Sequence, residues 1–198
     1  MTTDSETLLV ATFNSGKLRE FHDYLAGLPF DVIGLNRLLE VSPSPEDGNT
    51  FEQNAQQKAR YYSRFFPGLT LADDSGLVVD ALGGEPGIYS ARYLSSSATD
   101  EQRCQEILAR LQNVAEPVRT ARFVCSLALA RQGEVIQTFK GTVEGEIARE
   151  PRGSNGFGYD PIFLLPALNR TMAELSGSEK LAIGHRGQAL RKMSDYLR

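Results

Sequence analysis

The stretch whose reading decides the fold is Leu69-Thr70-Leu71-Ala72-Asp73-Asp74-Ser75-Gly76-Leu77-Val78-Val79. Its first four residues are an apolar run of strand type, and its last three are another. Between them two adjacent carboxylates precede Ser75-Gly76, and these residue types favour a turn for local reasons. Isolated buried charge is expensive, so at least one of Asp73 and Asp74 must meet solvent, a cation or a metal. A hard cation such as Mg²⁺ takes oxygen ligands and keeps several waters. A turn without any ligand is the competing reading, and on this stretch alone the two stand level.

The whole chain sets bounds on what surrounds that stretch. Its 198 residues suit one large domain, single or two-lobed, with room for an ample core. A formal net charge of −4, from 21 basic and 25 acidic side chains, argues against a protein that coats nucleic-acid backbones. The opening Met1-Thr2-Thr3-Asp4-Ser5-Glu6 lacks the basic and apolar regions of a secretory signal, and no apolar run reaches membrane-spanning length. Cys104 and Cys125 have no metal-ligand spacing and read as reduced packing residues. The expectation is a cytoplasmic protein with neither membrane nor nucleic-acid partners.

Upstream, Leu8-Leu9-Val10-Ala11 reads as a buried strand. Thr12-Phe13-Asn14-Ser15-Gly16-Lys17 follows as a loop, and Leu18, Phe21, Leu25 and Leu28 then recur at helical spacing. A strand, a loop with Gly and Lys, and a helix N-terminus suit phosphate. The P-loop pattern fails at both ends, because Ala11 and Leu18 stand where Gly and Ser or Thr belong. An anion cradle with Asn14 and Lys17 survives, against a helix N-cap with a solvated lysine. Phe30 to Ile33 is a second strand candidate, and the Pro-rich 41–48 is non-regular. Thr50-x-x-Gln53 reads as a capping box opening a helix through Phe66, with Lys58 on the flank of its apolar stripe and read as solvated.

Downstream, Ala81 to Tyr93 is an irregular packed segment that could line a subunit contact. Thr99-x-x-Gln102 caps a helix burying Cys104, Ile107, Leu108 and Leu111. Alternation from Arg119 to Arg131 gives a long strand, and Gln132-Gly133 turns it back into Glu134 to Thr142. A short strand over 146–149 extends a partly antiparallel sheet. Phe157-Gly158-Tyr159-Asp160 lies in a Gly-rich loop, where an aromatic can stack on a base and an acid can accept from ring N–H groups. Thr171-x-x-Glu174 caps a short helix. Lys180, His185 and Arg186 then read as the wall of an anion or purine pocket, or as solvated residues, and glycines at 184 and 187 argue against one continuous helical face there. A terminal helix turns Ala189, Leu190, Met193 and Leu197 inward. The parts together suit metal-assisted hydrolysis of a nucleoside triphosphate.

Thr12 to Lys17, Ala72-Asp73-Asp74-Ser75-Gly76, Leu82 to Tyr93, Phe157-Gly158-Tyr159-Asp160 and Gly184-His185-Arg186-Gly187 occur in one order. This succession resembles the signature blocks of the inosine/xanthosine triphosphate pyrophosphatase family, the house-cleaning purine nucleoside triphosphate pyrophosphatases. The resemblance implies a single α/β domain over 1–198 with a central mixed, partly antiparallel, elongated sheet flanked by helices. It further implies two lobes with an active cleft between them, and a homodimer. The implied reaction is Mg²⁺-dependent hydrolysis of ITP, dITP or XTP to the monophosphate and pyrophosphate. By position, Asp74 matches the general base, and Glu46, Asp73 and Asp74 match the metal carboxylates, with Asp47 the alternative to Glu46. Thr12, Phe13, Asn14, Ser15, Gly16, Lys17, Ser75, Phe157, Gly158, Tyr159, Asp160, Lys180, His185 and Arg186 match nucleotide contacts. The rivals are a pyrophosphatase for other nucleotides and a nucleotide sensor without turnover.

Overall fold

Leu69–Val79 forms one uninterrupted strand, β3, so the turn expected after Asp74 is absent. β3 lies inside a seven-stranded sheet, between the strands β1 (Glu6–Ala11) and β4 (Thr120–Arg131), and sheet pairing overrides the local turn preference of Asp-Ser-Gly. The computed structural model describes residues 6–26, 29–38, 41–115 and 118–198. Leu28, expected on the first helical stripe, and residues 1–5, read above for targeting signals, lie outside the described residues.

The sheet order is β2-β1-β3-β4-β5-β6-β7, with β2 at Phe30–Gly34, β5 at Glu134–Ile147, β6 at Phe163–Leu165 and β7 at Arg170–Thr171. β1 runs parallel to both β2 and β3, with Leu8 opposite Val32 and Leu69. β5–β6 and β6–β7 are antiparallel, so the sheet is mixed as expected. Gln132 and Gly133 join β4 to β5 with positive φ at both residues, the geometry a two-residue hairpin demands. β5 also absorbs residues 146 and 147 of the separate strand expected over 146–149, while Ala148 and Arg149 lie outside any strand.

The chain divides into two compact units: Met1–Asp74, Cys125–Lys140 and Ala189–Arg198 make one, Ser75–Val124 and Gly141–Gln188 the other. In the first, α1 (Ser15–Leu25) and α5 (His185–Tyr196) contribute Phe21, Leu25, Ala189, Leu190 and Met193 to a cluster with Leu69, Leu71, Cys125 and Leu127. α2 (Phe51–Tyr62) packs Ala55, Ala59 and Tyr62 on Leu9, Ala11, Ala72 and Ala128. Within this unit Leu69 and Leu71 of β3 meet α1 and α5, and Ala72 meets α2, as strand alternation requires.

In the second unit, α3 (Asp100–Arg110) buries Cys104 and Ile107 with Leu77, Val79, Phe123 and Phe163. α4 (Gly177–Ile183) is followed at once by α5, which begins at His185 and runs through Gly187. The break expected there is therefore confined to Gly184. Gly187 is required because a Cβ would overlap the carbonyl oxygen of Leu181.

Capping follows local sequence with one exception. The Thr99–Gln102 and Thr171–Glu174 boxes form as expected. At α2 only half forms: Thr50 accepts from the Gln53 amide at 3.1 Å, while the Gln53 side chain accepts from Asn49 instead. α2 also ends at Tyr62 rather than Phe66, because Ser63 caps it and accepts from the Gly133 amide at 2.9 Å. No helix among the described residues is long and apolar enough to cross a membrane.

Arg119, fully buried, joins the ends of three elements. It donates to the carbonyls of Leu111 at 2.6 Å, Ala148 at 2.7 Å and Ile147 at 2.8 Å. Arg119→Leu removes these three donors and is expected to destabilise the protein by more than about 3 kcal/mol. Arg119→Lys, without the planar fork, should recover little of it. Chemical denaturation checks both, and a loss under about 1 kcal/mol for the Leu variant would contradict this account.

Candidate active site

Asp73 and Asp74 are 2% and 6% exposed. As consecutive residues of one strand they leave opposite faces of the sheet, so each needs its own compensation. Asp73 ion-pairs through Oδ1 with Lys17 of α1, and its Oδ2 accepts from the Cys125 thiol at 3.2 Å. Asp74 accepts from Asn54 Nδ2 at 3.0 Å and faces Lys58 Nζ at 3.6 Å, both from α2. Lys58 also pairs with Glu46 at 3.1 Å. The expectation of a solvated lysine on the helix flank is thus overturned, because Lys58 is buried between two carboxylates. Asn54 and Lys58 are four residues apart and share a helical face with Ala55 and Ala59. That spacing was the available sign that the small-residue face brings α2 close to the sheet.

The loop carrying Glu46 is strapped to α2 along its length. Ser44 N donates to Tyr62 Oη at 3.0 Å, Gly48 N donates to Asn54 Oδ1 at 2.8 Å, and Gln57 Nε2 donates to Asp47 Oδ1 at 2.7 Å. Of the two candidate acids, Glu46 is the one beside Lys58 and Asp47 is engaged by Gln57.

Burial raises the Asp74 carboxyl above its ordinary range, and the nearby positive charges of Lys58 and Lys17 and the Asn54 hydrogen bond only partly oppose it. For Lys58 burial works downward, but Asp74, Glu46 and Asp73 together outweigh it and hold the ammonium above its usual value. The result is a charged lysine beside a carboxylate that is costly to ionise, a combination found where chemistry is done.

The parallel register carries the next segment to the same place. Ala11 pairs with Ala72, so residues 12–17 leave β1 at the level of Asp73. β1 has β2 on one side and β3 on the other, with α1 and α2 on opposite faces. The carboxyl end of such a switch point is where open α/β sheets bind ligands. Asn14 acts as the N-cap of α1, accepting from Lys17 N at 2.9 Å, and Thr12 Oγ1 accepts from Asn14 N at 3.1 Å. Ser15 and Gly16 form the first helical turn. Phe13 is 69% exposed, its ring edge-on to Tyr62 at 6.5 Å.

In the second unit Asp160 is buried and its Oδ2 accepts from Phe157 N at 2.9 Å and from Lys180 Nζ at 2.5 Å. Gly156 has φ +79°, and a Cβ there would overlap Asp160 Oδ2. Lys180 Nζ and the Arg186 guanidinium lie 4.6 and 5.8 Å from the Phe157 ring centroid. Arg186 Nη2 donates to Ser75 Oγ at 2.8 Å. Buried His185 stacks on Phe123, centroids 4.9 Å apart. Lys180, His185 and Arg186 are therefore buried, contrary to the solvated alternative. The two loop aromatics differ: Phe157 is covered by cationic side chains, whereas Tyr159 enters the core and donates its hydroxyl to Ser90 O at 2.9 Å.

Among the described residues no three His, Cys, Asp or Glu side chains form a metal-ligating group. Glu46 and Asp74 nonetheless fit a hard divalent cation. Both supply carboxylate oxygens beside one ammonium, and Mg²⁺ needs only one or two carboxylates when phosphate and water complete its shell.

Buried carboxylate–lysine pairs at the carboxyl end of a parallel switch point define an α/β protein with an enzyme-type site. A sequence profile of the Ham1 family matches residues 8–196. The chain is 48% identical over 195 residues to a dITP/XTP pyrophosphatase from Yersinia pseudotuberculosis, covering 98% of each chain. It is 47% identical over 190 residues to another from Exiguobacterium sibiricum, covering 96% of each. The solved structure of a HAM1 protein from Coxiella burnetii superposes with a TM-score of 0.87 at 43% identity, covering 97% of this chain and 98% of that one. The chain belongs to the Ham1 family.

Because its folded pKa is raised, ionised Asp74 costs stability, and that cost appears as pH rises through the folded value. Asp74→Asn should therefore raise Tm near neutral pH, by about 2–4 °C for each kcal/mol relieved. The gain should shrink as pH falls and vanish below the ordinary carboxylate range, where Asp74 is protonated in the folded and unfolded chain alike. Thermal melts across pH check this, and an unchanged or lowered Tm at neutral pH would contradict it.

Proposed function

We propose that this chain hydrolyses nucleoside triphosphates bearing a 6-oxopurine, namely dITP, XTP and ITP, to the monophosphate and pyrophosphate. It is then a hydrolase acting on acid anhydrides that clears deaminated purines from the nucleotide pool. The observation that carries the reading is buried Asp74, its carboxyl raised and held by Asn54 and Lys58. The names of the near-full-length relatives point to the same substrates.

Asp74 acts as general base. A water attacks the α-phosphorus, its proton passes to Asp74, the α–β bridging bond breaks and pyrophosphate leaves. A positioned base typically contributes about 10²–10⁴-fold. Glu46 and Asp74 are the proposed Mg²⁺ ligands, with Asp73 a neighbouring charge, and the bound ion supplies a compact positive charge that offsets the triphosphate. Lys17 and Lys58 add fixed ammonium groups, and Thr12 to Gly16, with the first amides of α1, suit the phosphate tail.

Base recognition falls to Phe157 as the stacking ring, Gly158, Tyr159 and Asp160 as its loop, and Lys180, His185 and Arg186, with Ser75 bonded to Arg186. Donors from His185 and Arg186 aimed at O6 favour hypoxanthine and xanthine over adenine, since a site built to bond a group rejects the analogue lacking it. Guanine shares O6, so its rejection rests on the 2-amino group finding no partner. The working form is a cytoplasmic homodimer. Exposed Tyr89, with the Arg92 guanidinium 5.0 Å from its ring centroid, is the candidate contact, as Tyr and Arg are favoured there.

Pyrophosphate release with Mg²⁺ from ITP, XTP, dITP, GTP and ATP, side by side, is the test. Fast release from the first three and little from the last two is expected. Equal rates from all five would sink the assigned specificity, and binding without release would make the chain a sensor. Asp74→Asn should keep its fold while kcat falls about 10²–10⁴-fold, and near-parental turnover would remove Asp74 from the mechanism.

A further inference from the structure

α3 opens with Asp100, whose Oδ1 accepts from Arg103 Nη1 at 3.0 Å. Arg103 is in turn fixed by the carbonyls of Tyr93 and Ser95, both at 3.3 Å. The other carboxylate oxygen of Asp100 is not used to cap its own helix. That work is done by the Thr99–Gln102 box, with bonds of 3.1 and 2.8 Å. Instead Oδ2 accepts from the backbone N–H of Gly158 at 2.7 Å, 58 residues further along the chain.

One turn on, Cys104 Sγ donates to the carbonyl of the same Gly158 at 3.4 Å. Burial pushes the Cys104 thiol up to about 12, which keeps its proton in place for that bond. α3 thus holds Gly158 by both its N–H and its C=O, at a residue whose φ of +61° already restricts it. The flanking residues are pinned separately: Phe157 N by Asp160, and the Tyr159 hydroxyl by Ser90 O. Phe157, Gly158 and Tyr159 each have their own anchor, and Asp100 supplies the one at the Gly158 amide from outside the loop.

We propose that Asp100 is a positioning residue for base selection, fixing the Phe157 ring through the Gly158 amide where a 6-oxopurine is received. This rests on the function proposed above. A loop released from Asp100 must be reordered when the nucleotide binds, which costs affinity. It would also blur the fixed geometry that separates O6 from an amino group. Asp100 bonds Arg103 and the Gly158 amide, so its loss acts on the loop and the hydrolytic step is spared.

The test measures kcat and KM for ITP and ATP in the parental protein, Asp100→Ala, Asp100→Asn and Glu101→Ala. Glu101 carries the same charge in the same helical turn and serves as the control for helix-end electrostatics. Asp100→Ala should raise KM for ITP about fivefold, with kcat within about twofold, and narrow the ITP-over-ATP ratio of kcat/KM. Asp100→Asn, which keeps an acceptor for Gly158, should recover most of the loss, and Glu101→Ala should behave as the parent. An unchanged KM and ratio in Asp100→Ala, or an equal effect in Glu101→Ala, would overturn the inference. A fall in kcat with no change in KM would overturn it too. A parental protein that does not prefer ITP over ATP would instead overturn the function on which the inference rests.

Discussion

Two carboxylates one residue apart on a buried strand create a problem that one cation cannot solve. Their side chains leave the sheet on opposite faces, so neutralising both requires a positive group above and another below. α1 supplies Lys17 to Asp73 and α2 supplies Lys58 to Asp74. This requires helices on both faces of β3, which the order β2-β1-β3 with its two crossovers provides. The arrangement of the first unit is what lets Asp73-Asp74 exist inside a sheet at all.

The two acids are not equivalent once placed. Asp73 is met by a lysine and a thiol, while Asp74 faces a lysine shared with Glu46 and an asparagine that also secures the 44–48 loop. Buried ion pairs are weak evidence for stability, since desolvation offsets their attraction. The upward shift of Asp74 against three favourable partners is a sign of that cost. A protein that retains such a group keeps it for what the group does. The loop around Phe157 shows the complementary economy: a ring left half-covered, its own amide held by Asp160, with the next two residues tied to Asp100 and Ser90 far along the chain.

Where the physics is local, the sequence was legible. The apolar run of β1, the period of β4, the Gln132-Gly133 hairpin and the Thr99 and Thr171 boxes all depend on near neighbours, and all form. The misreadings share a cause. Ser75-Gly76 has turn chemistry, yet it continues a strand within the sheet. Gly187 resembles a helix breaker, but the approach of Leu181 makes glycine necessary inside α5. Lys58 resembles a solvated flank residue, and only the contact of α2 with the sheet and the 44–48 loop buries it. In each instance a contact outside the residue's own element outweighed the local preference.

By itself the sequence determined the class of fold, the family, and which residue types are available for phosphate, metal and base. Those follow from hydrophobic period, capping chemistry and the order of several motifs along one chain. Only the tertiary structure decided that Asp73 and Asp74 answer to different lysines, that Glu46 and not Asp47 pairs with the lysine facing Asp74, and that Tyr159 anchors its loop while Phe157 remains the presented ring. These are pairings between groups 12 to 69 residues apart, set by strand alternation and by where each helix comes to rest.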